Sequence, residues 1–330
     1  MAVRSIIALS ALLAANPAAA DSPAPLDTQT SAASAGLVDP AAEVLALDQE
    51  RYRRLTLPVM VDGAGPYAFM IDTGSQATAI THEIRTALAL PPAGTATLVG
   101  MASRRAVDLV DIGRIEFGTN SFTNFTAPVL ARENVGADGI IGLDALQDFR
   151  VLIDFRKQTI AVEDASTKAS ARNPDRGYEI VVRARTRLGQ LLITDALVEG
   201  VRATVIIDTG AQASLANTAL RDRIRAKRAH NVTSTDVNGV ELAGQLAIVR
   251  TLSIAGLGLT DVPLTFADTP AFAALGLADQ PALSLGMQHL ALFDRVAIDF
   301  ARQRIAFDVP SDVARALREA KRSLTYRSGF

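Results

Sequence analysis

Two aspartates stand in the same eight-residue setting. Ile71-Asp72-Thr73-Gly74-Ser75-Gln76-Ala77-Thr78 returns as Ile207-Asp208-Thr209-Gly210-Ala211-Gln212-Ala213-Ser214, 136 residues further on. One Asp-Thr-Gly is an ordinary way to end a strand at a turn, but a repeated one with repeated flanks asks for a chemical reason. A pair of carboxylates can hydrolyse a bond without a metal or a covalent intermediate. One removes a proton from water; the other, kept protonated, polarises the acceptor and later protonates the leaving group. Held close together, like charges cannot both ionise, so the pair shares one proton and titrates as a unit. Each copy supplies one aspartate, so neither half should work alone.

The composition removes most rival chemistries. With no cysteine there is no disulfide framework, thiolate nucleophile, Cys-ligated metal or lipoprotein cysteine. The histidines are His82, His230 and His289. His82-Glu83 opens like a zinc-protease helix, but Thr86 stands where the second ligand would be. No G-x-S-x-G elbow or Walker A loop occurs. A net charge of -2 offers no basic surface for nucleic acid, while 49% apolar residues suffice for a core. No metal and no cofactor are expected.

The elements that would position the aspartates also come twice. Each triplet follows a hairpin-like unit, Val61-Asp62-Gly63 with Tyr67 to Ile71, and Val198-Glu199-Gly200 with Ala203 to Ile207. An apolar-apolar-Gly element follows in each half, Ile140-Ile141-Gly142 and the less apolar Ser284-Leu285-Gly286. A last block beginning Val151-Leu152-Ile153-Asp154-Phe155 returns as Val296-Ala297-Ile298-Asp299-Phe300. The second copy carries extra residues, expected around Phe272 to Pro281. Short runs of Val, Ile, Leu and Thr broken by Gly, Asn and Asp read as strands. Asn238-Gly239 predicts a two-residue hairpin turn, and Gly100 to Arg105 takes the corresponding place in the first copy. Short helices are predicted at 81–90 and 218–227, and an amphipathic one at 312–324.

The ends read differently. Arg4, the apolar run Ile6 to Ala15 and Ala18-Ala19-Ala20 have the layout of a secretory signal peptide over residues 1–20, too short to span a bilayer. Residues 21–43, rich in Ala, Ser, Pro and Thr, suggest a tether or short pro-segment. The expected division continues with a lobe at 44–165, a linker at 166–176, a second lobe at 177–310 and a basic tail at 311–330. Arginine in excess of lysine points to a bacterial chain, exported to the periplasm or secreted.

Over residues 45 to 310 the chain resembles the clan of pepsin-like and retropepsin-like aspartic proteases, in particular bacterial periplasmic members with both lobes in one polypeptide. The resemblance implies a mostly β fold: two homologous β-barrel lobes with short helices and an active site in the interlobe cleft. It implies an exported endopeptidase acting on polypeptides as a monomer, with Asp72 and Asp208 as the catalytic pair. Thr73 and Thr209 would bond across the interface. Gly74 and Gly210 would allow a tight turn, and Gly142 and Gly286 would let neighbouring loops pass close behind. Ser75 and Ala211 follow the triplets. Only Ser75 has a hydroxyl, which would favour ionised Asp72 and make it the base, with Asp208 the proton-bearing acid. The flaps would lie near Leu98 to Val107 and the Asn238 turn, giving Met101, Arg104, Asn238 and Gly239 as substrate or flap candidates. A catalytically idle two-lobed peptide binder is the alternative, and a di-carboxylate glycan hydrolase fits the repeated turns less well.

Overall fold

The computed structural model describes residues 5–7, 13–16, 56–165, 177–224, 227–311 and 313–315. The tether, the linker and most of the tail and signal segment lie outside them. So does the 312–324 helix, apart from a helical stretch at 313–315. No helix among the described residues is long and apolar enough to cross a membrane.

The chain is mostly β. In the first half, Thr56–Val61, Ala64–Ile71, Gly139–Ile141, Ala79–Thr81, Asn120–Leu130 and Arg104–Phe117 pair in that order, and the last returns to the first to close a six-strand ring. The second half repeats the ring with Gln190–Val198, Val201–Ile207, Ala282–Leu285, Leu215–Ala216, Leu257–Phe266 and Glu241–Ile254. Period-two patterning places the cores: Leu57, Val59 and Val61 turn inward while their neighbours face out. Both triplet hairpins turn through paired positive φ, Asp62 (48°) with Gly63 (79°) and Glu199 (47°) with Gly200 (82°). That turn twists with the strands it joins.

A third sheet belongs to both halves. Its order is Thr159–Asp164, Phe149–Asp154, Arg295–Asp299, Arg304–Asp308, Ile180–Arg183. At its centre Val151 pairs with Ile298, Leu152 with Ala297 and Ile153 with Val296. Because Val151-Leu152-Ile153 and Val296-Ala297-Ile298 are copies of one another, Leu152 faces its own counterpart. The antiparallel pair therefore straddles the pseudo-twofold axis of the duplication, and the central strands of the two copies are directly joined.

Each ring also projects a long hairpin. Pro92–Val99 turns through residues 100–103 into Arg104–Phe117, and Lys227–Thr235 turns through 236–240 into Glu241–Ile254. The second turn is longer than the two-residue loop expected at Asn238-Gly239. Asp236 Oδ1 accepts the N–H groups of Asn238 and Val240 at 2.9 and 3.0 Å, so a side chain organises a five-residue turn. The outer edges of these hairpins are occupied by the N-terminal segment: Ser5–Ile7 runs parallel to Thr97–Val99, and Leu13–Asn16 runs antiparallel to the strand ending at Thr235. One helix forms at His82–Ala87, within the expected range, and the other only at Thr218–Arg221, because the chain re-enters a strand at Lys227. The extra residues of the second half lie between Phe266 and Ala282, where the helix Pro270–Ala274 packs into the core.

Candidate active site

Each aspartate follows the last residue of a strand that has a parallel neighbour. Ile71 pairs with Ile141 and Ile207 with Leu285, and the aspartates continue the ladder: Asp72 N–H donates to Ile141 O at 3.0 Å, Asp208 N–H to Leu285 O at 3.1 Å. The chain then turns under its own carboxylate. Asp72 Oδ1 accepts from Gly74 N and Ser75 N at 2.8 and 2.9 Å, and Asp208 Oδ1 from Gly210 N and Ala211 N at 3.2 and 3.1 Å. Both carboxylates are fully buried. Neither Gly74 nor Gly210 has a positive φ. Their contribution is a backbone N–H aimed at the carboxylate, not the left-handed turn that a glycine there suggests.

The threonines lock the two turns together. Thr73 N–H donates to Thr209 Oγ1 at 3.0 Å, and Thr209 N–H to Thr73 Oγ1 at 3.2 Å. Each hydroxyl then crosses to the other half, Thr73 to Ile207 O and Thr209 to Ile71 O, both at 2.8 Å. Every bond has its symmetry mate, and each ends on a residue adjacent to an aspartate. Gln190 adds a further bond, its Nε2 donating to Gly74 O at 2.7 Å.

Behind the triplets, Gly142 and Gly286 stand where the backbone of a neighbouring loop passes close. A Cβ on Gly142 would run into the Ala77 and Thr78 backbone, and one on Gly286 would lie 2.5 Å from Ala213 O. The backbone bonds there are duplicated too: Leu143 N to Ser75 O at 2.8 Å, Met287 N to Ala211 O at 2.9 Å.

The side chains around this frame differ between halves. Thr78 Oγ1 accepts from Gly142 N and donates to Asp144 Oδ1 at 2.6 Å. Ser214 takes the place of Thr78 and accepts from Gly286 N at 2.9 Å, but its partner is the Nδ1 of His289 at 2.6 Å. His289 stands one place beyond Gln288, which takes the sequence position of Asp144. Burial raises the Asp144 carboxyl above its ordinary range, against the bonds from Thr78. Burial also lowers the His289 imidazole to about 4, so the ring is neutral at neutral pH and its tautomer sets the direction of the bond to Ser214.

The hydroxyl expected beside Asp72 points elsewhere: Ser75 Oγ donates to Ala77 O at 2.9 Å. A hydroxyl does reach the other aspartate. Ser284, in the place of Ile140, donates to Asp208 Oδ2 at 2.9 Å. The polar break in Ser284-Leu285-Gly286 was the available sequence signal for it.

Two of the four flap candidates, Met101 and Asn238, are buried. Met101 is fully buried and packed with second-half residues, so in this structure it does not face open solvent. Arg104 is exposed, Asn238 is 8% exposed and bonded to the first flap, and Gly239 is exposed at a φ of 73°. A cavity of about 650 Å³ between Asp222, Asp268 and Asp279 includes neither triplet.

A family model described as aspartyl protease matches residues 57–145 and 194–289, more than half of the chain. No curated protein matches. Among solved structures, a retropepsin-like aspartic protease from Rickettsia conorii is 19% identical, with 39% of this chain and 88% of that one covered and a TM-score of 0.25. Basic 7S globulin from soybean is 11% identical over 78% of this chain and 91% of that one, with a TM-score of 0.39. The protein edgp is 9% identical over 77% and 94%, with a TM-score of 0.35.

Proposed function

The chain belongs to the aspartyl protease family, and on that premise we propose that it is an endopeptidase hydrolysing polypeptides with a water activated between Asp72 and Asp208. The observation that carries the reading is the reciprocal Thr73–Thr209 bonding. It fixes the residues next to both aspartates across the seam, as a shared-proton pair requires.

The water loses a proton to the ionised aspartate while its oxygen attacks the peptide carbonyl carbon. The protonated aspartate hydrogen-bonds to the carbonyl oxygen and gives it its proton, forming a tetrahedral diol. The newly protonated aspartate then gives its proton to the peptide nitrogen, a diol hydroxyl gives its proton to the other aspartate, and the C–N bond breaks to leave a carboxylic acid and an amine with the pair restored. A hydroxyl donated to a carboxylate favours its charged form. Ser284 therefore marks Asp208 as the base and Asp72 as the acid, the reverse of the assignment that Ser75 suggests from sequence.

The signal-like features of residues 1–20 support export to the periplasm or outside the cell. Cleavage before Asp21 would also clear both flap edges of the segments now paired with them. Both aspartates and the threonine pair lie in one chain, which supports a functional monomer. The test is digestion of an unfolded polypeptide by the purified protein across acid to neutral pH, with fragments identified by mass spectrometry. Cleavage blocked by a statine-containing peptide supports the reading; no cleavage at any pH refutes it.

A further inference from the structure

Asp208 takes two bonds from the strand Ala282–Leu285. Leu285 O accepts its N–H at 3.1 Å, and Ser284 Oγ donates to its Oδ2 at 2.9 Å. The next residue fixes the end of that strand: Gly286 N–H donates to Ser214 Oγ at 2.9 Å, and the same oxygen meets His289 Nδ1 at 2.6 Å. His289 is buried on the helix Met287–Leu290, whose first two N–H groups donate to Ala211 O and Gln212 O, both at 2.9 Å. Ala211 N–H in turn donates to Asp208 Oδ1. The imidazole is therefore linked to both carboxylate oxygens, to Oδ2 through Ser214, Gly286 and Ser284, and to Oδ1 through its helix and Ala211.

This ring is placed to hold one proton and not two. Its Nε2 is buried without a hydrogen-bond partner, so in either neutral tautomer only Nδ1 is engaged. With both nitrogens protonated, Nε2–H becomes a charged donor with no acceptor, which water outside the fold would satisfy. Among the described residues no carboxylate or cationic side chain, on its own helix or on the elements around it, shifts the ring; burial alone does. The first half is tied in the opposite sense. Gly142 N–H donates to Thr78 Oγ1 and Thr78 to Asp144, a carboxyl that burial already makes costly to charge and that acid only neutralises.

We propose that His289 is a positioning residue for Asp208 and an acid release for that half of the site. Taking a proton from solvent, the ring withdraws from Ser214, Gly286 loses its anchor, and the strand that holds Asp208 shifts. The second half of the site then comes apart reversibly in acid while the first stays built. The inference rests on Asp208 being one of the proteolytic pair. It sets a lower pH bound on activity that comes from a histidine, in addition to the bound set by protonation of the base itself.

Amide exchange in the full chain reads the release without any turnover. A released ring protonates at its ordinary 6.5, so protection of the Gly286 and Asp208 N–H groups is expected to fall about tenfold per pH unit from there to pH 4. Gly142 and Asp72, their counterparts, should lose much less. Equal losses at all four, or none, would overturn the release. His289→Asn keeps a polar atom in the place of Nδ1 but does not titrate, and should hold Gly286 protected over the same range. On a polypeptide substrate, the acid limb of kcat/KM is expected to follow the second power of proton concentration in the parent and the first power in His289→Asn. His289→Leu, untied at every pH, should lower kcat about tenfold with KM little changed. Limbs of equal steepness in the parent and His289→Asn would overturn the link to Asp208. Exchange as expected with no polypeptide cut would refute the dyad reading and not the release.

Discussion

Behind Asp72 the supporting loop is tied by a carboxylate, and behind Asp208 by an imidazole. Thr78 with Asp144 and Ser214 with His289 occupy equivalent places and hold equivalent glycine N–H groups. The backbone is the same; the titrating group is not. Duplication has therefore preserved the main-chain frame that presents the aspartates, while the side chains that tune each half have diverged. Ser284 against Ile140 is a second case. An account resting on symmetric backbone and asymmetric side chains can be broken at either level.

The largest effect is expected where symmetry is strictest. Thr73→Val and Thr209→Val each remove a hydroxyl that accepts one bond and donates another across the seam, and should lower stability by about 2 to 3 kcal/mol and kcat by roughly a hundredfold. Denaturant unfolding and steady-state kinetics of both variants check this; a large difference between them would break the symmetry.

Acid should separate the halves. The unfolded chain protonates the His289 imidazole at its ordinary 6.5, whereas the folded chain resists until about 4. Stability is lost as pH falls through that window, by at most about 3 kcal/mol. Asp144 acts oppositely: its carboxyl is raised in the fold, so protonation relieves a cost. His289→Gln should flatten the slope of Tm between pH 6.5 and 4, and Asp144→Asn should not flatten it but make it steeper, because an opposing contribution is lost. Calorimetry of the two variants distinguishes them.

Smaller again are Gly142→Ala and Gly286→Ala, each expected to destabilise by about 1 to 3 kcal/mol because the new methyl meets backbone. Matching losses of stability would confirm that the frame is symmetric at this level. Least in size, Ser284→Ala should move the acid limb of the kcat/KM profile to higher pH, since the base loses a donor to its ionised form. Ser75→Ala, whose hydroxyl serves Ala77 O, should not move it.

The frame was legible in the sequence because it is written in backbone-dictating residues. Asp-Thr-Gly, the downstream glycines and the paired turns constrain the main chain wherever they occur, so their repetition revealed the duplication, and the family resemblance carried by those motifs implied the barrels, the threonine pair and the flaps. What sequence reading missed depends on where side chains converge in space. Asp236 organises a turn that Asn238-Gly239 alone would make shorter, and its bonds to Ala102 and Ser103 span more than 130 residues of chain. Met101 read as a flap residue facing substrate, yet it is buried against the other half, because an apolar tip does not record which patch receives it. His289 was passed over because it lies one place beyond the residue that aligns with Asp144. Ser75 misled because its backbone N–H, not its hydroxyl, serves Asp72.

The central claim is that one site is made by two halves, and a mutant cycle on the aspartates tests it most directly. The measurement is kcat/KM for Asp72→Asn, Asp208→Asn and the double variant on the same polypeptide substrate, with thermal unfolding to establish that all three are folded. Groups that act as one unit give non-additive losses, so each single variant is expected to lose about as much activity as the double. A single variant that retains substantial activity, or losses that add across the pair, would contradict it.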